Sequence, residues 1–267
     1  MQQQTQNIDD IARELAGGLS LNQLRKKQSR QTERIATPPT QTEVEYWSRV
    51  FAPQKSTLVT IREFKQEMDY EDARVRVWYL MQARALEISA LQNRDFEWQL
   101  SDMDIFRIRN LIKYFINDPG SEYPLHKGLF VCGMPGTGKT ELMQIMKRFC
   151  DEAGLTKRFA YTDMSSIYLS AKTDPDFDPV TSLIQSNRCF DEFGRHIGSV
   201  IRYGEGLNIN EAVIEERYKR FNRYGQITHF VANMSTADAE DNFPAMIFDR
   251  LRAMCTSVVF AGQSKRQ

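Results

Sequence analysis

The chain has 267 residues, 41% of them hydrophobic, which is enough for one domain of ordinary size and a smaller companion. Its 35 basic and 35 acidic residues give a formal net charge of zero, which excludes a global basic field that would attract nucleic acid. The opening residues MQQQTQNIDD lack the pattern of a signal peptide, and no apolar run approaches the roughly 18 residues of a membrane span, so we expect a cytoplasmic protein without a membrane partner.

Residues 1–100 are predicted to form a partner-binding region that is partly disordered and partly helical. Residues 1–43 are rich in Gln, Thr and Arg and include the basic cluster Leu24–Arg30. A helix is predicted between Thr57 and Gln92. Its apolar side chains recur at spacings of three and four along one face: Val75, Tyr79, Ala83, Leu86 and Ala90. A second apolar side is formed by Trp78, Leu80 and Met81. The face is either buried against neighbouring helices or a docking face for a partner helix.

From residue 101 onward, helical and strand patterns alternate. A helix is predicted to begin at Ser101 or Asp102, and Gly128–Gly133 is predicted to be a buried strand followed by a helix over Thr140–Cys150. Further strands are predicted at Arg158–Asp163, Arg188–Asp191, Ile227–Asn233 and Thr256–Phe260, with a helix over Asn210–Phe221. This alternation predicts an α/β fold with a central parallel sheet flanked by helices. The scattered cysteines, which form no Cys-x-x-Cys pair, are predicted to be reduced and buried.

The stretch GMPGTGKTEL, residues 133–142, matches the phosphate-binding pattern G-x-x-x-x-G-K-[ST] at every required position. Its glycines let backbone N–H groups approach phosphate oxygens, and the following helix directs its positive end at them. We expect Lys139 to neutralise the β and γ phosphates and Thr140 to bind Mg²⁺. The predicted nucleotide-binding residues are Gly133, Pro135, Gly136, Thr137, Gly138, Lys139, Thr140 and Glu141.

Polar residues at the ends of two later predicted strands complete a candidate hydrolytic site. In FDEFG, Asp191 is predicted to hold the metal and Glu192 to activate a water, although an exposed acidic turn is the alternative. A water-activating glutamate favours hydrolysis over a kinase reaction. Asn233 can orient the attacking water, but asparagine after a strand is commonly a turn residue.

Near the C-terminus, Arg250 or Arg252 can act as an arginine finger that reaches a neighbouring subunit, or can be a solvated surface arginine.

In chain order, the segments GMPGTGKT, FDEFG, THFVANMS and FDRLRAM followed by VVFAGQSKR resemble Walker A, Walker B, sensor 1 and the box VII arginine of AAA+ ATPases. The short domain, with too few residues after the loop for a full helical lid, resembles the DnaC/IstB branch of bacterial and phage helicase loaders. Gly262, Ser264 and Arg266 match the tail of that branch, and the resemblance covers residues 101–267. Arg202 and Arg217 fall where related phage proteins also carry arginine.

The resemblance implies ATP and Mg²⁺ as ligands. It assigns Lys139, Thr140, Asp191 and Glu192 to the nucleotide and metal, Asn233 to the sensor and Arg250 to the finger of a homo-oligomer.

The function expected on this basis is an ATPase that binds a replicative hexameric helicase and single-stranded DNA and hydrolyses ATP at subunit interfaces. An IstB-like transposition helper acting with a transposase is one alternative. A DNA-binding adaptor in which ATP serves only as an assembly switch is another. A small-molecule kinase is the least favoured, because a sensor asparagine and an arginine finger have no place in it.

Overall fold

The computed structural model describes residues 63–174, 186–195, 199–202 and 205–262. The basic cluster Leu24–Arg30 and the tail residues Ser264 and Arg266 lie outside these ranges. Glu63–Gln267 forms one compact unit. Within the described ranges, no helix combines the length and apolar character needed to cross a membrane.

The helices of the described part are α1 (Tyr70–Gln92), α2 (Asp102–Phe115), α3 (Lys139–Glu152), α4 (Met164–Thr173), α5 (Ile209–Tyr224), α6 (Thr236–Asn242) and α7 (Ala245–Met254). The strands are β1 (Gly128–Gly133), β2 (Ala160–Asp163), β3 (Arg188–Phe193), β4 (Ser199–Arg202), β5 (Glu205–Asn208), β6 (Thr228–Ala232) and β7 (Cys255–Phe260). The strands and helices expected from residue 101 onward are all present, with ends shifted by a few residues.

Five of the strands form one sheet in the order β2-β3-β6-β1-β7, and every neighbouring pair is parallel. All residues of β1 and β6 are buried, as a sheet covered by helices on both faces requires. The predicted α/β fold class is confirmed. Because parallel strands end at one edge, the segments that follow β1, β3 and β6 meet there, where open α/β sheets bind ligands. Strands β4 and β5 form a separate antiparallel hairpin.

Helix α2 begins where the sequence predicts. The Ser101 hydroxyl accepts the N–H of Asp104 at 3.2 Å, and the Asp104 carboxylate accepts the N–H of Ser101 at 3.1 Å. This reciprocal capping box satisfies two backbone donors that the first helical turn leaves free. Ser101, rather than Asp102, is therefore the N-cap.

Helix α1 packs against the rest of the domain through a different face from the predicted one. It begins at Tyr70, with Asp69 as N-cap, and the stretch of the predicted helix over residues 57–62 lies outside the described ranges. Its buried side chains are Ala73, Val77, Leu80, Met81, Ala85 and Ile88, and the first four share one core with α2, α3 and β1. From the predicted face, Val75, Tyr79 and Leu86 are 60%, 70% and 72% exposed. The interpretation of that face as buried against neighbouring helices of this chain is thus wrong for these three side chains.

The core of the sheet contains a neutral histidine. His229 of β6 is fully buried, and its Nδ1 accepts the N–H of Leu129 at 3.2 Å. Its Nε2 has no hydrogen-bond partner among the described residues and is surrounded by aromatic rings, the closest being that of Phe159 with centroids 4.9 Å apart. Burial above all, and then the charges of Lys157 and Arg217, lower the pKa of His229 to about 3.

Candidate nucleotide and magnesium site

Two glycines, Gly133 and Gly138, allow the backbone of the turn between β1 and α3 to adopt its conformation. Gly133 has a φ of 134°, and a Cβ at this position would lie 2.1 Å from the carbonyl oxygen of Phe260 in β7. Gly138 has a φ of 87° and caps α3, and nothing lies within 4 Å of the position of its missing Cβ. The loop is therefore pressed against the sheet at its start and open at the N-terminus of the helix, as phosphate binding requires.

The ammonium group of Lys139 lies at the centre of this loop. Its Nζ donates hydrogen bonds to the carbonyl oxygens of Gly133 at 2.9 Å and Met134 at 2.7 Å. It also lies 3.3 Å from the hydroxyl of Thr137, which donates to the Met134 carbonyl at 2.9 Å. Lys139 is 3% exposed. The loop thus places one positive charge beside the N-terminus of α3, an arrangement that suits an anion.

Thr140 and Asp191 come together from two neighbouring regions of the sheet edge. The Thr140 hydroxyl donates to Oδ1 of Asp191 at 3.2 Å, and Oδ2 accepts the Tyr161 hydroxyl at 2.6 Å. Burial above all, with Cys189 and the Asp191 hydrogen bond adding to it, raises the pKa of Tyr161 well above its usual value. The Tyr161 hydroxyl therefore stays a donor at neutral pH.

This donor set fits Mg²⁺. The ion prefers hard oxygen ligands and commonly uses one or two protein groups together with phosphate oxygens and waters. In the described ranges, no three His, Cys, Asp or Glu side chains gather into a metal centre of their own. A hydroxyl and a carboxylate beside a phosphate-binding loop can hold the ion only together with phosphate, so the residues present fit a nucleotide-bound magnesium.

Glu192 has a strained backbone and an engaged carboxylate. Its φ is 54°, unusual for a residue with a side chain, and the pairing of β3 with β6 shifts register between Phe190 and Phe193 around it. Its carboxylate accepts the Ser165 hydroxyl at 2.7 Å, and one guanidinium nitrogen of Arg195 lies 2.6 Å from each of its oxygens. Before Glu192 can take a proton from water, at least one of these contacts has to open.

The structure distributes the other predicted site residues over two regions. Asn233 directly follows β6, the neighbour of β3, so it lies at the same sheet edge as Asp191 and is exposed. Arg250 lies on α7 and donates to Glu215 of α5 at 2.5 Å. Arg252 is exposed, with its guanidinium 5.9 Å from the Phe248 ring centre. A finger acts on a neighbouring subunit, so the role of Arg250 stays a prediction.

Arg217 is a structural residue of the core. It is 2% exposed and donates to the Thr228 hydroxyl at 2.7 Å and to the carbonyls of Ser186 and Ile227 at 3.0 and 3.1 Å. Burial lowers its pKa to about 10, so it stays charged at neutral pH. The residue ties together the starts of β3 and β6. The side chain of Arg202, in β4, lies outside the described part.

Glu141 belongs to the predicted nucleotide-binding set, yet its carboxylate contacts α1. Arg84 of that helix lies 2.7 Å from one Glu141 oxygen through Nε and 3.3 Å from the other through a terminal nitrogen. The pair joins residues 57 positions apart. Of the groups of Glu141, the backbone N–H in the first turn of α3 is therefore the one suited to a phosphate.

Sequence reasoning did not identify four residues that support this site: Arg84, Tyr161, Ser165 and Arg195. Three of them reach their partners only through the folded sheet and its helices. The fourth, Arg195, follows Glu192 by three residues in FDEFGR, and a basic residue so close to the acidic pair is a signal that the sequence does carry.

Comparisons with known proteins found similar chains among solved structures. No family model and no curated protein matches the chain. The chain is similar to DnaI, with 16% identity over 64% of this chain and 88% of that one and a TM-score of 0.47. It is similar to the DnaC helicase loader, with 17% identity over 62% and 94% and a TM-score of 0.45. A candidate primosome component from Streptococcus pyogenes serotype M3 is 17% identical over 62% and 84%, with a TM-score of 0.46. At these values the likenesses assign no activity to this chain.

Proposed function

We propose that this protein is a P-loop ATPase that binds ATP with Mg²⁺ at the sheet edge after β1 and β3. The observation that carries the proposal is the 3.2 Å contact between Thr140 and Asp191, directly beside the loop that surrounds Lys139. A hydroxyl and a carboxylate at that position are the protein ligands that a nucleotide-bound magnesium uses in P-loop enzymes.

Each residue of the site then has a distinct task. The loop amides and Lys139 would bind the β and γ phosphates, and Thr140 and Asp191 would hold the magnesium ion, which would supply positive charge to the phosphate oxygens. Glu192 takes the proton of the attacking water, and Asn233 orients that water. Tyr161 keeps the Asp191 carboxylate in place by its hydrogen bond.

Two substitutions test this assignment. Lys139→Ala should abolish binding of a fluorescent ATP analogue and leave the fold intact, because it removes only the central cation of the loop. Glu192→Gln should retain binding and lose turnover, because it removes only the base. Circular dichroism controls for folding in both cases. Wild-type hydrolysis in Glu192→Gln would refute the role of Glu192, and unchanged nucleotide affinity in Lys139→Ala would refute the site.

We further propose that the ATPase acts as a loader of a replicative hexameric helicase and binds single-stranded DNA. The order of the sequence motifs supports this, and so does the exposed apolar face of α1, which has the spacing of a helix that docks against another helix. Tyr79 and Leu86 are 70% and 72% exposed, more than Val75 on the same face, and do not contribute to the core.

Helicase capture by immobilised protein tests the docking role. The double variant Tyr79→Glu/Leu86→Glu should lose the helicase of the same host or phage and keep nucleotide binding. Leu169→Glu on α4 is the matched control, since Leu169 is also exposed, at 60%, but lies on another element. Undiminished capture by the double variant would exclude this face. A wild-type chain that captures a transposase and no helicase would favour the transposition helper instead.

Hydrolysis at subunit interfaces is proposed on the basis of Arg250. Arg250→Ala should retain ATP binding and lose most stimulated turnover, because a finger supplied in trans is worth about 10³ to 10⁵ in rate. Mixing this variant with Lys139→Ala should restore part of the activity, since each supplies the half of an interface that the other lacks. Normal turnover in Arg250→Ala would shift the assignment to Arg252.

One observation favours a second candidate function. This is an adaptor protein that changes state when ATP binds and hydrolyses ATP at a negligible rate. Both Glu192 oxygens are bound by Arg195, and one of them also by Ser165, so the proposed base is occupied. If this state persists with ATP and DNA bound, hydrolysis stays slow. Single-turnover hydrolysis measured with and without single-stranded DNA and helicase separates the two: stimulated turnover supports the ATPase, and its absence supports the switch.

A further inference from the structure

An ion pair connects α1, the helix that carries the exposed apolar face, to the first turn of α3, the helix that follows the phosphate loop. Arg84 binds both oxygens of Glu141, at 2.7 and 3.3 Å, and lies 3.1 Å from Glu87 on its own helix. The side chains of Arg84 and Glu141 are 28% and 32% exposed. A two-point contact of a guanidinium with a carboxylate fixes the relative orientation of both groups, which a lysine at the same position would do less well.

The charge of Glu141 matters because of its place in the chain. It directly follows Lys139 and Thr140, in the first turn of α3. While no phosphate is bound, a carboxylate there interacts favourably with the partial positive charge at the helix N-terminus. Once phosphates occupy the same N-terminus, the carboxylate is a like charge that repels them. Arg84 is the cation that compensates for it.

We propose that Arg84 is a positioning residue of the nucleotide site, which neutralises Glu141 and thereby makes phosphate binding depend on the position of α1. The inference rests on the phosphate-binding role proposed for the loop. Because α1 also carries the exposed side chains of Tyr79 and Leu86, a protein that docks there and moves the helix changes nucleotide affinity. By thermodynamic reciprocity, bound nucleotide changes the affinity for that protein by the same factor.

A double-mutant cycle with a fluorescent ATP analogue and Mg²⁺ tests the proposal. Arg84→Ala should weaken binding about three- to fivefold, the upper range for a partly exposed ion pair. Glu141→Gln should bind at least as tightly as the wild type, and the double variant should bind about as tightly as the wild type, since it loses one charge of each sign. Lys147→Ala, which breaks an exposed pair with Asp151 on α3 and has no contact with Arg84 or Glu87, is the matched control and should bind normally.

The nucleotide affinities of the two single variants and the double variant separate an electrostatic role of Arg84 from a packing role. A double variant as weak as Arg84→Ala, or unchanged affinity in Arg84→Ala, overturns the inference and leaves the ATP site standing. A wild-type chain that binds no nucleotide overturns the proposed function and the inference together. If Arg84→Ala fails to fold, Arg84→Lys keeps the charge. The lysine variant should bind within about twofold of wild type, and a larger loss would contradict neutralisation as the cause.

Hydrogen exchange provides a readout that does not depend on affinity. Saturating the wild type with a slowly hydrolysed ATP analogue should slow exchange of the α1 amides, and the effect should be much smaller in Arg84→Ala at the same saturation. Exchange in α1 that does not respond to nucleotide in the wild type would refute the coupling.

Discussion

The buried His229 should make the protein sensitive to mild acid. Its pKa is lowered from 6.5 to about 3 in the folded chain. Between these two values the unfolded state binds more protons than the folded one, so stability is lost as the pH falls below about 6.5 and the loss is complete only near the folded pKa. At about pH 5 the difference of roughly 1.5 units at 1.36 kcal/mol per unit corresponds to about 2 kcal/mol, a large part of the net stability of an ordinary domain.

Urea unfolding followed by tryptophan fluorescence at about pH 7, 6 and 5 measures this loss directly. His229→Gln should be less stable at neutral pH, because the N–H of Leu129 loses its imidazole acceptor, but should lose about 2 kcal/mol less than the wild type between pH 7 and 5. His126→Gln, at an exposed position, controls for the loss of a histidine as such. Equal acid sensitivity of His229→Gln and the wild type would refute the assignment to this buried ring.

Three further outcomes follow from the described contacts. Gly133→Ala should lower the free energy of unfolding in urea by more than about 3 kcal/mol. The new Cβ would overlap the Phe260 carbonyl, and the φ of this position is unfavourable for alanine. Near-normal stability would contradict this expectation. Tyr161→Phe should keep the fold and weaken Mg²⁺-dependent binding of an ATP analogue about fivefold. The reason is that Asp191 loses a hydrogen bond that contributes roughly 1 kcal/mol. A magnesium titration measures this change in affinity. A fragment starting at Asp95 retains every motif but lacks α1 and should be unfolded by circular dichroism, whereas a folded fragment would show that α1 is dispensable.

The elements of the sheet could be predicted because buried parallel strands are short continuous apolar runs. GLFVCG is such a run and THFVA ends in one, and the glycine-rich turn after the first identifies the strand that carries the candidate phosphate loop. The capping box at Ser101 is equally local, since its two partners are three residues apart.

The packing of α1 could not be predicted from the same kind of pattern. Apolar side chains occur all round this helix, so the spacing of Val75, Tyr79 and Leu86 is as regular as that of Val77, Leu80 and Met81. Periodicity identifies a face but does not decide between two apolar faces of one helix. The choice depends on which of them fits the surfaces of α2 and α3.

Tyr161 and Ser165, two partners of the proposed catalytic groups, were beyond sequence reasoning for a related reason. Tyr161 reaches Asp191 because β2 pairs with β3, a neighbour relation that the chain order alone does not specify. Ser165 and Arg195 reach Glu192 because its backbone leaves the regular strand with a positive φ. Such a conformation depends on the surrounding fold rather than on local preference.

The position of β1 between β6 and β7 has a consequence for how the protein is made. Phe130 pairs with Phe230, and Gly133 pairs with Phe260, so the strand that carries the phosphate loop obtains both neighbours from the last part of the chain. During synthesis, β1 and α3 leave the ribosome long before either neighbour exists, and their exposed apolar residues are open to chaperones until then. Nucleotide binding should accordingly arise late and in one step, once Cys255–Phe260 has been added. If ATP binds as proposed, it stabilises only molecules whose sheet is complete.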